Sequence, residues 1–323
     1  EGLAALQKLI KTADVLFYNV RPQAMKRLKL SYEEVAAINP QIIYVGAYGF
    51  SQRGPYAAQP AYDDLIQGMS AMPALFHEAG ASSPRYAPLA IADRITGLAA
   101  VNAITTALFA RSRTGKGQSV EVPMFENMAA YVMMEHLGAM SFRPALGPPG
   151  DHRVLSPDAR PLPTADGYIC ISANTDAQAH AFFDAIGRSE LKADPRFATI
   201  AGRTANTRDY FAIRAGGLKG KTSAEWLEIF DRLDVPASPY NTIAGLLDDP
   251  HLRAVGMVRE EEHPTEGATY AIGQPNRFSG GNAPSGRAAP RLGQDGAALL
   301  AEAGMSADEI AALKRDGVLI EAQ

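Results

Sequence analysis

Three kinds of side chain in this sequence could do covalent or acid–base chemistry: the carboxylate Asp93, the adjacent pair Asp63 and Asp64, and the single thiol Cys170. Asp93 follows an apolar, strand-like run, Leu89-Ala90-Ile91-Ala92. It precedes a helical stretch rich in small residues, among them Gly97, Ala99, Ala100, Ala103 and Ala107. An aspartate at such a junction is a good N-cap, because its oxygens accept from the free N–H groups of the first turn. An anion there also suits the helix dipole. Local pattern therefore leaves Asp93 either as a cap or as a reactive carboxylate. Cys170 lies mid-run in Tyr168-Ile169-Cys170-Ile171, where a thiol is core filler.

Other chemistries find no pattern. The six histidines are scattered, with no HExxH and no cysteine pair, so no metal site is expected. No GxGxxG follows a strand, and there is no Walker loop or GxSxG elbow. Gly115-Lys116-Gly117 ends a helix instead of opening one, which makes it a C-cap and turn.

The elements that must position Asp93 alternate. Apolar residues at 3, 6, 9 and 10 mark a helix, and Asp14–Tyr18 a strand ending in Asn19. Ser31 with Glu34 forms a capping box. Gln41–Ala47 reads as a second buried strand, Tyr62–Met72 as a helix, Ser119–Val122 as a strand and Phe125–Met140 as a helix. Strands alternating with helices predict a parallel, doubly wound sheet, whose ligands sit beyond the carboxyl ends of the strands. Asn19 and Tyr48 fall at such ends.

Residues 146–163 are proline-rich and read as a linker. Beyond it, strands at Tyr168–Ala173 and Val235–Tyr240, with helices at Ala177–Ile186, Arg203–Leu218 and Ala224–Leu233, predict a smaller α/β domain. The expected organisation is a large domain over 1–145, the linker 146–163, a small domain over 164–272 and a return segment, 273–323, to the large domain. The class is α/β, the larger domain built from both chain ends. The chain opens inside a helix without Met, so an N-terminal segment is expected to be missing.

At 323 residues with 46% hydrophobic and 20% charged residues, the chain can bury a large core. A net charge of −4 supplies no basic field for nucleic acid or an anionic membrane surface. No stretch reaches the roughly 18 apolar residues of a membrane span. One cysteine excludes an internal disulfide framework and suits a reducing cytoplasm.

Several blocks taken together resemble the class III CoA-transferases, which include formyl-CoA transferase, carnitine CoA-transferase and alpha-methylacyl-CoA racemase. The segment Ala13–Pro22 (ADVLFYNVRP), the block Asn39–Tyr56, the YDDLIQ stretch Tyr62–Gln67, Ala92-Asp93 with Gly97, Arg113–Gln118 (RTGKGQ) and Thr164–Tyr168 (TADGY) occur in the family's order across the chain. The resemblance implies that Asp93 is the nucleophile, attacking an acyl-CoA thioester to give a mixed anhydride and then an aspartyl-CoA thioester. It places Asn19, Val20, Arg27 and Tyr48 at coenzyme A. Tyr48 stands where formyl-CoA transferase has a lysine, so one cation for the CoA phosphates is lost or supplied elsewhere. CoA is implied as substrate and no tightly bound cofactor is expected. The implied partners are acyl-CoA, a small carboxylic acid and a second copy in an interlocked homodimer.

Two alternatives stay open. A racemase of this family carries a histidine where Tyr62 stands, and tyrosine is a poor base at neutral pH. A CoA-binding dimer without turnover is the other. The stiff Gly147-Pro148-Pro149-Gly150 stretch, in place of the glycine run of formyl-CoA transferase, disfavours formate and oxalate; a dicarboxylic or hydroxy-acid acceptor is at least as eligible, and the sequence does not choose.

Overall fold

The structure, a computed structural model, describes residues 1–281 and 286–321. Its contacts group Glu1–Asp151 with the chain from Pro290 onward, and His152–Ala289 as a second unit.

The first unit holds three strands, β1 (Val15–Tyr18), β2 (Ile43–Tyr48) and β3 (Gln118–Pro123). All pair in parallel in the order β1-β2-β3, with Leu16 opposite Tyr44 and Tyr44 opposite Ser119. Every residue of central β2 is buried, the mark of a strand covered on both faces. Its alternation separates two cores. Tyr44, with Ile42 just before the strand, packs with Ile10, Met25, Leu30 and Val35, carried by α1 (Gly2–Ile10), α2 (Pro22–Arg27), α3 (Tyr32–Ile38) and the turn after α2. Ile43, Val45 and Ala47 pack on the other face.

Between β2 and β3 the chain forms α4 (Asp63–Met69), α5 (Met72–Glu78) and α6 (Ile91–Thr114); α7 (Met124–His136) follows β3. Ala100 and Ala107 of α6, with Val122 of β3, cover the Ile43/Val45/Ala47 face. Small residues there let the 24-residue helix lie close to the sheet. Helices thus cover both faces of a parallel sheet.

Local signals end the elements where expected. Ser31 Oγ accepts from the Glu34 N–H while the Glu34 carboxylate accepts from the Ser31 N–H. Gly115 closes α6 at φ +71°, which a side chain would disfavour. Arg111, in the last turn of α6, donates to the carbonyls of Asp14 and Gln41 and pairs with the Asp14 carboxylate at 2.6 Å. The predicted helix Tyr62–Met72 breaks at Ala71 (φ +67°) into α4 and α5. The helix predicted to Met140 ends at His136 and continues as a 3-10 turn over Gly138–Ser141.

The run before Asp93 differs from expectation. It is not a strand: α6 begins at Ile91 with Ala90 as N-cap, and Asp93 is the third residue of the helix. No side chain of Ala90 can cap the helix; the acceptor comes from another helix, as described below.

The second unit pairs β4 (Leu162–Pro163), β5 (Tyr168–Ile171) and β6 (Ala237–Pro239) antiparallel in that order. Around them lie α8 (Asp176–Ala185), α9 (Ile200–Ala205), α10 (Thr207–Gly216) and α11 (Ser223–Arg232). Phe182, Phe183, Phe197, Trp226 and Phe230 form its core. Trp226 stacks on Phe230 at 5.4 Å and donates its indole N–H to the Leu218 carbonyl. The helix predicted over Arg203–Leu218 is instead α9 plus α10, broken at Asn206, whose amide bonds the Gly202 carbonyl. Such side-chain bonds compete with helical continuation.

Short helices α12 (Ile243–Leu247) and α13 (Pro250–Ala254) lead to a hairpin of β7 (Val258–His263) and β8 (Gly267–Ile272). Sequence reading missed this hairpin, because Glu260-Glu261-Glu262 disfavours a strand by propensity and most of β7 is exposed.

The return helices α14 (Gly296–Glu302) and α15 (Ala307–Arg315) pack on α1. Leu300, Ile310 and Leu313 meet Ala5 in one core, and Lys8 pairs with Glu309 at 3.0 Å. Residues 282–285 and 322–323 of the predicted return segment lie outside the described residues.

Candidate active site

The site grows from α4. Asp63 and Gln67 are four residues apart and so share a face. Gln67 is 2% exposed, and a buried amide must find partners. It finds three: its Nε2 donates to Asp63 Oδ2 at 2.6 Å and to the Leu89 carbonyl at 3.3 Å, and its Oε1 accepts from the Ala87 N–H at 2.8 Å. Gln67 therefore fastens the loop that leads into α6 and orients Asp63. The other oxygen of Asp63 accepts from the Asp93 backbone N–H at 3.0 Å. Asp63 is the cap of α6, delivered from a different helix.

This arrangement leaves the Asp93 side chain exposed in the first turn. Among the described residues no hydrogen bond or ion pair engages its carboxylate. Partial loss of hydration, followed by the negative charge of Asp63, pushes its pKa above the ordinary carboxylate value, and Arg94 partly opposes them. Loss of hydration and a like charge both disfavour the ionised form. An accessible, unpaired and destabilised carboxylate at a helix N-terminus is equipped to attack an electrophilic carbonyl. Among the described residues the Asp64 side chain accepts only from the N–H of its neighbour Leu65, at 2.9 Å.

The residues assigned to coenzyme A divide. Asn19 and Val20 follow β1 and are exposed, and Arg27 lies in the last turn of α2. Arg27 and Arg21 line one pocket of about 210 Å³ with Gln23, Ala24 and Ala58. Arg21 is anchored by a bond to the Ala58 carbonyl at 3.4 Å.

Tyr48 faces inward. It is buried and donates its hydroxyl to Glu121 Oε1 at 3.0 Å, and burial followed by the Glu121 charge pushes its pKa up. Its ring lies 6.2 Å from that of Tyr18, which lies 5.0 Å from Tyr44. Gly46 makes room for this cluster: a Cβ there would lie 2.5 Å from the Tyr48 ring and 2.6 Å from the Tyr18 hydroxyl.

Sequence reasoning missed Gln67, the capping role of Asp63 and a brace beyond β2. Glu121 accepts from the Ser51 hydroxyl at 3.0 Å and from the Gln52 N–H at 2.6 Å, while Glu126 accepts from the Ser51 N–H at 3.0 Å. The two carboxylates hold the loop at the carboxyl end of β2. A signal existed: Glu121 alternates with Val120 and Val122, which places it on the tyrosine face. Among the described residues no group of three histidine, cysteine or carboxylate side chains is placed to hold a metal ion.

The sequence that carries this fold and this aspartate matches a known family. The family model of CoA-transferase family III covers residues 1–296, and the chain belongs to that family. An acyl-CoA transferase of Fusarium pseudograminearum is 32% identical, over 99% of this chain and 70% of its own length. The succinate–glutarate CoA-transferase of Agrobacterium fabrum is 30% identical, over 94% and 75% respectively. The acetyl-CoA:oxalate CoA-transferase of Acetobacter aceti is 32% identical, over 93% and 76%. Among solved structures, a CAIB/BAIF family protein from Brucella suis superposes with a TM-score of 0.76 at 32% identity, over 93% of this chain and 78% of its own.

Proposed function

We propose that the protein moves CoA between an acyl-CoA thioester and a carboxylic acid, with Asp93 as the covalent carrier. The observation that carries this reading is the exposed Asp93 carboxylate, without a partner of its own, on a helix start whose cap is supplied by Asp63. A carboxylate oxygen of Asp93 attacks the thioester carbonyl, the C–S bond breaks, and CoA thiolate leaves an aspartyl mixed anhydride. The thiolate then attacks the aspartyl carbonyl, releasing the donor acid and forming aspartyl-CoA. An acceptor carboxylate repeats the two steps in reverse order and restores Asp93. Each hard acyl transfer is divided into easier ones. The thioester energy is conserved, so the sequence of steps calls for no metal and no resident cofactor.

One relative is named for the dicarboxylic acids succinate and glutarate. A dicarboxylic acid is accordingly the acceptor class proposed for this chain, and its single cysteine fits a cytoplasmic setting. Mass spectrometry after mixing with acyl-CoA tests the reading. A covalent adduct on Asp93 supports transfer; deuterium uptake at the α-carbon without an adduct would instead indicate a racemase.

Arg27, with Asn19 and Val20 at the carboxyl end of β1, is the proposed contact for the CoA phosphates, since a guanidinium grips phosphate oxygens bidentately. Replacing Arg27 with Ala is expected to weaken CoA binding by about 1–3 kcal/mol. Equal affinities for the two proteins by calorimetry, at low and moderate salt, would return Arg27 to solvated surface.

The proposed assembly is a homodimer, interlocked as in the family. Leu98, Val101 and Phe109 of α6 and Met134 of α7 are 69%, 58%, 64% and 81% exposed, apolar side chains that a partner surface would cover. Light scattering is expected to give twice the 34.4 kDa chain mass; a monomer at micromolar concentration contradicts it.

A further inference from the structure

The second unit contains a pocket of about 620 Å³ to which the transfer chemistry assigns no role. Four arginines line it, Arg153, Arg160, Arg203 and Arg214, against one carboxylate, Asp158. Arg160 pairs with Asp158 at 3.1 Å, and Arg203 pairs with Asp176 at 2.8 Å. Arg214 is only 8% exposed, and among the described residues no carboxylate pairs with it.

Arg214 is held in place from one side only. Its Nη2 donates to the Ile171 carbonyl, and its guanidinium lies 5.1 Å from the Phe211 ring and 5.6 Å from the Tyr210 ring. Among the described residues its buried Nε–H has no acceptor. Arg203 lies over Tyr210 as well, at 5.7 Å, so two guanidinium groups approach the same ring. Tyr210 cannot neutralise them, because its hydroxyl is donated to the Ala173 carbonyl at 2.7 Å.

A buried cation without a counter-charge is costly, and ring faces recover only part of its lost hydration. Burial accordingly pulls the Arg214 guanidinium below its ordinary pKa. Thr207 and Asn174 on the same wall add hydrogen-bonding side chains. The geometry is that of a site waiting for an anion.

We propose that this pocket binds a small oxyanion, a carboxylate or a phosphoryl group, which pairs with the Arg214 guanidinium. The planar fork of arginine matches either group through two parallel bonds. All the residues that line the pocket belong to the second unit.

Thermal melting of the full chain, at one ionic strength set with sodium chloride, tests this. Succinate and inorganic phosphate serve as separate probes of the carboxylate and phosphoryl sources. At about ten times its dissociation constant, the matching anion is expected to raise the melting temperature by about 2–4 °C. The rise should persist in Arg27→Ala and vanish in Arg214→Met. Arg214→Lys, which keeps the charge but not the fork, should show a smaller rise and serves if the Met variant does not fold. No rise with either anion overturns the proposal, as does a rise of equal size in both Arg214 variants.

Discussion

Asp93→Asn is expected to abolish CoA exchange while leaving the fold intact. The amide has nearly the same shape, yet its nitrogen and oxygen are too weakly nucleophilic to open a thioester. Deletion of a covalent nucleophile costs on the order of 10⁴ to 10⁶ in turnover. Stability should hold, because the Asp93 carboxylate makes no bond that the substitution removes, and the capping contact runs through its backbone N–H to Asp63. Loss of a charge that partial dehydration and Asp63 both disfavour is neutral to slightly stabilising.

Hydroxylamine added with acyl-CoA should convert Asp93, and neither Asp63 nor Asp64, to a hydroxamate. Substantial exchange by Asp93→Asn, or a hydroxamate at another residue, would refute the mechanism. The neighbouring Asp63→Asn serves as the contrast. Because the pKa of Asp93 is raised, its ionised form is lost on acidification at a higher pH than that of an unperturbed aspartate, and kcat/KM should fall there. Removing the Asp63 charge should shift that acid limb to lower pH with a much smaller loss of activity than Asp93→Asn.

The second large effect is expected at Gln67→Leu. The leucine fits the buried volume, but it strands the Ala87 N–H, the Leu89 carbonyl and one oxygen of Asp63. Each stranded group costs about 1–3 kcal/mol when water cannot reach it. Ala87, Leu89 and Asp63 are all partly open to solvent, which returns some of that, so a net loss of about 2–4 kcal/mol is expected. A shift of the urea midpoint at constant slope measures it. Turnover should fall further than stability alone explains, because displacing a reacting group by 1 Å can cost about 10²-fold. A variant as stable and as active as the parent would show that Gln67 does not organise the helix start.

The sequence by itself determined the elements whose signals lie within about one helical turn. The Ser31–Glu34 capping box, the Gly115 terminus and the buried run of β2 depend on neighbours three or four residues away, and their positions were read correctly to within a few residues. The alternation of strand and helix was enough for a parallel sheet, and the family blocks marked Asp93 as the candidate nucleophile.

Tertiary structure decided what surrounds that residue. The carboxylate capping α6 comes from a position 30 residues earlier, and Tyr48 meets Glu121 across 73 residues of chain. Such pairs exist only once the crossover has laid α4 beside α6 and β3 beside β2. That is why a strand was expected before Asp93: with Asp93 itself taken as the cap, Leu89–Ala92 falls outside the helix, whereas α6 starts at Ile91 and its acceptor, Asp63, is supplied through space. The pairing state of Arg214 was hidden for the same reason. Sequence names a charge, whereas burial and the absence of a nearby carboxylate are properties of the packed chain.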